Sequence, residues 1–252
     1  MRTDDGATTD WIRRFHDATG STARLVCFPH AGGSASFFHP VSVRFSPGTD
    51  VVSLQYPGRQ DRRLEACVED IGKLADRIAD ELAALSAKPT VFFGHSMGAV
   101  LAFETAHRLE EAGTNPPATV VTSGRRAPST TRDDRVHERD DRGLIAELRL
   151  LNGTDSAVFG DDELLQLALP AIRGDYTAIE TYRCEPGRRI AAPIAVLTGD
   201  HDPKTTLPEA EAWREHTSGG CTVRVFPGGH FFLADHQAEV NAEIAGYLDA
   251  LR

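Results

Sequence analysis

Gly94-His95-Ser96-Met97-Gly98 sets a serine between two glycines, directly after the apolar run Val91-Phe92-Phe93 and before Ala99 to Ala106, which reads as helix. Gly-x-Ser-x-Gly between a strand and a helix is the nucleophile-elbow pattern, in which a strained turn lifts the serine hydroxyl above a sheet. Glycine at 94 and 98 suits a turn where strand and helix backbones come too close for a Cβ atom. In a chain with 22 glycines the five residues alone are a weak signal, and the flanking strand and helix give them weight.

A serine hydroxyl reacts only with a general base in hydrogen-bond reach and a third group orienting that base. In this fold class the chain order is Ser, acid, His. The histidines after Ser96 are His107, His137, His201, His216, His230 and His236. Only His230 follows directly on a strand end, in Phe226-Pro227-Gly228-Gly229-His230, where the glycine pair lets the loop turn back over the sheet edge. His107 and His216 fall in helical stretches, where solvent exposure is the ordinary reading, and His236 lies at the last helix. The acid is expected at the end of another strand, where Gly199-Asp200-His201-Asp202-Pro203 offers two carboxylates. Asp200 adjoins the turn glycine and suits a structural bond to backbone N–H groups. Asp202 reaches further along the loop, and spacing alone leaves both open.

Acyl chemistry also needs N–H donors for the oxyanion, each contributing about 3 to 4 kcal/mol. One candidate is the N–H of Met97, at the start of the helix where amides are unpaired and the helix dipole favours negative charge. The other is the N–H of Ala31, in Phe28-Pro29-His30-Ala31-Gly32-Gly33-Ser34, a loop similar to the HGGG-type oxyanion loops of lipases and esterases.

The elements that must position these groups are short apolar runs separated by helical patterns. The runs are Leu25 to Phe28, Val51 to Tyr56, Val91 to Phe93, Thr119 to Thr122, Ile194 to Thr198 and Thr222 to Phe226. Without polar alternation they imply parallel strands covered on both faces. Helical stripes run from Val68 to Leu85, through the segment after Ser96 up to a capping Gly113, and from Val240 to Leu251. The expectation is one domain over residues 1–252, a mostly parallel, doubly wound α/β sheet with its crevice at the carboxyl ends of the strands. From Gly124 to about Ala192 no strand is legible, so this segment reads as an insertion. It opens with a charge-dense, solvated stretch, Arg125 to Arg142. Three helical faces follow: Leu144-Leu148-Leu151; Asp161-Asp162-Glu163 heading Leu164, Leu165 and Leu169; and Ile172-Tyr176-Ile179. Helices inserted there are placed to form a lid.

The formal net charge of -10 argues against nucleic acid or an anionic membrane as the main partner. No apolar run reaches the roughly 20 residues that span a bilayer, and no basic N-terminal segment leads into a secretion signal, so a cytoplasmic, soluble protein is expected. Cys27, Cys67, Cys184 and Cys221 form no CxxC pair, so no metal site or disulfide framework is suggested. Three of them lie in or near apolar runs and read as buried thiols.

Taken in order, Pro29-His30-Ala31-Gly32-Gly33, Tyr56-Pro57-Gly58-Arg59, Gly94-His95-Ser96-Met97-Gly98, Gly199-Asp200-His201-Asp202 and Gly228-Gly229-His230-Phe231-Phe232 resemble the type II thioesterases. These are the discrete α/β-hydrolases that accompany polyketide synthases and nonribosomal peptide synthetases. The resemblance runs from about Leu25 to the C-terminus. It implies an α/β-hydrolase fold, Asp202 as the catalytic acid with Ser96 and His230, and oxyanion donors at Ala31 and Met97. It further implies hydrolysis of acyl thioesters on the phosphopantetheine arm of acyl- or peptidyl-carrier domains, by a monomer that uses no metal or cofactor. An ester hydrolase or acyltransferase on the same scaffold is the alternative, and a catalytically silent binding protein a more distant one. Arg59, Arg62, Arg63, Arg125 and Arg126 follow strand ends, where they are candidates to meet a phosphopantetheine phosphate or an acidic carrier.

Overall fold

The computed structural model describes residues 9–152 and 162–251. Its elements run β1 (Ile12–Arg13), β2 (Arg24–Phe28), α1 (His39–Phe45), β3 (Asp50–Leu54), α2 (Ile71–Ala83), β4 (Thr90–His95), α3 (Met97–Ala112) and β5 (Thr119–Ser123). Then come α4 (Asp141–Asn152), α5 (Asp162–Thr181), β6 (Ile194–Gly199), α6 (Leu207–Glu211), β7 (Cys221–Phe226), α7 (Phe232–Asp235) and α8 (Gln237–Asp249). The strands form one sheet in the order β1-β3-β2-β4-β5-β6-β7, parallel throughout except for β1. All six strands expected from the apolar runs are present. The added β1 pairs antiparallel with β3 at the edge and, at two residues, is too short to leave a periodic signature.

Alternate residues of the inner strands feed two cores, one on each face. Val26, Phe28, Val52, Phe92 and Val120 pack with α2 and α3. Leu25, Cys27, Val51, Phe93 and Val121 pack with α1 and α8. Burial on both faces explains why these strands read as unbroken apolar runs. β7 departs from that expectation: it is the far edge, and its residues alternate between half-buried and exposed as far as Arg224. Gly113 adopts the left-handed C-cap conformation expected at the end of α3, at φ 63°.

The strand order carries the functional geometry. From β2 the chain moves outward to β3, then returns to place β4 on the other side of β2. The carboxyl ends of β2 and β4 therefore flank the switch point of the sheet, where crevices form in doubly wound folds.

Among the described residues no strand lies between β5 and β6, as the insertion reading requires. Two of its three expected helical faces prove to be one helix: α5 runs through Pro170, uniting Leu165 and Leu169 with Ile172 and Tyr176. Proline normally ends such a pattern, but here the shared apolar stripe, packed on Val136, Leu144 and Leu148, continues across it. Asp161, expected at the helix start, lies outside the described residues. The stretch from Arg125 to Arg142 is less solvated than its charge suggests, since Arg126 and Val136 are buried and Arg132 pairs with Glu209. Of the four thiols, all free, only Cys27 is buried; the other three are half-buried.

Candidate active site

Ser96 sits between β4 and α3 at φ 54° and ψ -118°, a conformation L-residues rarely hold unless their surroundings impose it. The flanking glycines impose it. A Cβ atom on Gly94 would lie 2.1 Å from the Gly98 carbonyl oxygen, and one on Gly98 would lie 2.0 Å from the carbonyl oxygen of Phe28. Both contacts are with backbone, which cannot swing aside. The Ser96 N–H donates to the Ser123 carbonyl at 2.8 Å, tying the turn to β5.

The base arrives from the other end of the sheet. Gly228, at φ 120°, turns the chain after β7, and His230 is buried with its Nε2 3.0 Å from Ser96 Oγ. Its Nδ1 stands 2.9 Å from Asp202 Oδ2 and 3.0 Å from Oδ1. Since a carboxylate only accepts, Nδ1 carries the proton and Nε2 is left to accept from the serine hydroxyl. Asp202 is buried and also accepts from the Lys204 N–H at 2.8 Å.

Asp200 does something else. Its Oδ1 accepts from the Gly228 N–H at 2.8 Å and contacts His201 Nδ1 at 2.6 Å, and these bonds hold its carboxyl below the usual range. It braces the turn that delivers His230.

The N–H groups of Ala31 and Met97 meet no acceptor among the described residues. Ala31, Ser96 and His230 border one cavity of about 30 Å³, which Tyr176 and Ile179 from α5 and Leu151 from α4 also line. All five residues singled out from the sequence thus border the site or, for Asp202 and Met97, lie immediately beside those that do.

Two of the sequence readings are corrected here. His216 is not exposed: it is buried beneath Trp213 and Phe103 and bonds the Arg188 carbonyl and the Ser129 hydroxyl. The arginine rim is reduced to two residues: Arg125 and Arg126 line the Ser96 cavity, whereas Arg59 and Arg62 are used inside the protein. Arg59 is buried in a bidentate pair with Asp175, and Arg62 lies against Trp11 and Glu65. Arg126 is buried facing Asp134, and Arg125 lines the Ser96 cavity with its Nε buried and unbonded. Burial, reinforced by Arg126, pulls Arg125 down to about 9, which still leaves it cationic at neutral pH. Arg63 alone of the five is exposed.

Three imidazoles, His30 and His95 beside the site and His216 away from it beneath Trp213, are biased towards the neutral form. Burial, then the nearby His230 and Arg59, lower His30 to about 3. Burial, then His230 and His30, push His95 well below its ordinary value, and burial lowers His216. In the unfolded chain each takes a proton near pH 6.5. Below that pH the unfolded state binds more protons than the native state, so stability is complete above about 6.5 and falls on acidification. The expected slope is up to about 1.4 kcal/mol per pH unit for each histidine. Urea unfolding at pH 6.5 and 5.0, above the carboxylate range, should show this loss, and His30→Gln should lessen it. An unchanged slope in that variant would show that His30 is not held neutral.

Residues 23–247 match the family described as the thioesterase domain. The chain is 63% identical to a probable cadicidin biosynthesis thioesterase of Streptomyces griseus, over 97% of this chain and 68% of that protein. To thioesterase PikA5 of Streptomyces venezuelae it is 48% identical, over 94% of this chain and 85% of the relative. Among solved structures, the type II thioesterase BorB from the borrelidin biosynthetic cluster aligns with a TM-score of 0.92 at 49% identity, covering 96% of this chain and 99% of that one.

Proposed function

This chain belongs to the thioesterase family, among the type II thioesterases of polyketide and nonribosomal peptide biosynthesis, and from that membership we propose how its residues do the work. It is an α/β-hydrolase that hydrolyses acyl thioesters as an editing enzyme. In our reading the acyl group arrives on the phosphopantetheine arm of a carrier domain. Ser96 Oγ attacks the thioester carbonyl while its proton passes to His230 Nε2, and Asp202 holds the imidazolium that forms. The carbonyl oxygen becomes an oxyanion facing the N–H groups of Ala31 and Met97. Collapse of this intermediate expels the pantetheine thiolate, protonated by His230. Water, deprotonated by the same His230, then releases the acyl group as a free acid.

The observation that carries this reading is the unbroken relay from Asp202 through His230 to Ser96, with contacts of 2.9 and 3.0 Å. Nucleophile, base, orienting acid and donors are all protein groups, so the reaction as written requires no metal or cofactor. We read the insertion at about residues 124–192 as a lid, a reading supported by its described residues Leu151, Tyr176 and Ile179, which line the Ser96 cavity and are placed to select the acyl group. The reading includes a cytoplasmic monomer; that it meets neither nucleic acid nor an anionic membrane is supported by the net charge of -10. No helix among the described residues is long and apolar enough to cross a membrane.

One acyl group presented as a carrier thioester and as an oxygen ester tests the reaction class. The thioester is expected to show the higher kcat/KM. Preference for the oxygen ester would replace this assignment by an esterase.

A further inference from the structure

We propose that Asp175, on the inserted helix α5, is a positioning residue for the oxyanion loop: together with Arg59 it holds the His30–Ala31 peptide so that the Ala31 N–H faces the oxyanion formed at Ser96. The proposal rests on the reading of Ala31 as an oxyanion donor and extends it to a residue on the insertion.

Asp175 is 1% exposed. Its Oδ2 accepts from the Gly32 N–H at 2.7 Å and from Arg59 Nη1 at 2.7 Å, and its Oδ1 accepts from Arg59 Nη2 at 2.8 Å. Arg59 Nη1 also donates to the Gly33 carbonyl at 3.0 Å. The pair therefore grips the N–H of one loop glycine and the C=O of the next. The Gly33 N–H in turn donates to the His30 carbonyl at 2.9 Å. In a trans peptide the N–H points opposite to the C=O, so engaging the His30 oxygen directs the Ala31 N–H to the other side, free of any internal acceptor.

The loop also lies directly on α5. Gly32 has φ +74°, and a Cβ atom there would come within 2.5 Å of Ile172 Cγ1, one turn before Asp175. From the other side the guanidinium of Arg59 lies over the Tyr56 ring at 5.1 Å and is held to the Pro57 carbonyl through Nε and Nη2. Tyr56 OH donates to the Pro29 carbonyl. The loops after β2 and β3 are thus fastened together, and the fastening passes through a residue of the insertion.

Charge balance favours this arrangement. A carboxylate beside an oxyanion site would oppose the reaction unless neutralised, and the bidentate guanidinium neutralises it. A buried ion pair is by itself weak evidence of stabilisation. Its direct bond to the backbone of the catalytic loop is what gives the pair a role there.

A trifluoromethyl ketone analogue of a short acyl thioester provides the test. Ser96 Oγ adds to the ketone carbon as its proton passes to His230, and the ketone oxygen becomes an oxyanion, so binding of this analogue reads the donors. For Asp175→Ala, both kcat/KM and affinity for the analogue should fall together by about 10²-fold per active-site-titrated enzyme, with KM little changed. Asp175→Asn, whose amide oxygen still accepts from Gly32 and Arg59 Nη1 but whose NH₂ cannot accept from Nη2, should recover only part of the loss. Undiminished turnover and analogue affinity in Asp175→Ala, with only a lower melting temperature, would overturn the proposal and leave the residue structural. If that variant does not fold, Arg59→Lys, which keeps the charge but gives up the planar bidentate grip, should show the same parallel loss, and its absence would be equally decisive. Failure of the ketone to inhibit the wild-type enzyme would instead overturn the oxyanion reading, and this proposal with it.

Discussion

Ser96→Ala is expected to lower hydrolysis of an acyl-carrier thioester by on the order of 10⁴ to 10⁶-fold without lowering the melting temperature. The side-chain oxygen bonds His230 Nε2, and alanine keeps the Cβ atom that the turn between Gly94 and Gly98 already accommodates. The strained backbone at φ 54° costs alanine about what it costs serine. Loss of the hydroxyl removes the acyl-enzyme route altogether. What survives is the binding and oxyanion contribution, which serves only direct attack by water. Initial rates by thiol release, alongside thermal denaturation of both proteins, give the comparison. Turnover within about tenfold of wild type would mean that Ser96 is not the nucleophile.

Asp202→Asn should lower kcat by on the order of 10⁴-fold, and Asp200→Asn by less than about tenfold. The two residues share one loop and one chemical change, so each controls for the other. At 202 the carboxylate accepts from His230 Nδ1. An amide there can present its NH₂ to the imidazole, which moves the proton to Nε2 and leaves nothing to receive the serine proton. At 200 the acceptor serves the Gly228 N–H, and the amide oxygen of asparagine still accepts it. The reverse ranking would show that the relay runs through the other acid.

Local pattern made much of this legible. Residues of β2, β4, β5 and β6 are buried on both faces, so their burial is written in their own composition and no knowledge of neighbours is needed to read it. The elbow is local in part: the clash at Gly94 is with the backbone of Gly98, four residues on, whereas the clash at Gly98 is with the Phe28 carbonyl of β2, a tertiary contact. His230 could be picked out because its strand end and glycine pair are contiguous with it.

The choice between Asp200 and Asp202 lay beyond spacing, since both follow β6 within three residues and only the path of the loop aims one at the imidazole and the other at Gly228. The same limit hid the burial of His216 and the continuity of α5 through Pro170, where packing against Val136, Leu144 and Leu148 overrides the local preference to stop. It also made Arg59 resemble a surface charge, because its partner Asp175 lies 116 residues away. The sequence by itself determined the strands, the elbow motif and the short list of reactive groups, all of which are recognisable from patterns within a few residues. The tertiary structure alone decided which of them meet. Strand order brings the ends of β2 and β4 together and turns the loops after β6 and β7 towards them, and no periodicity records distances across a sheet.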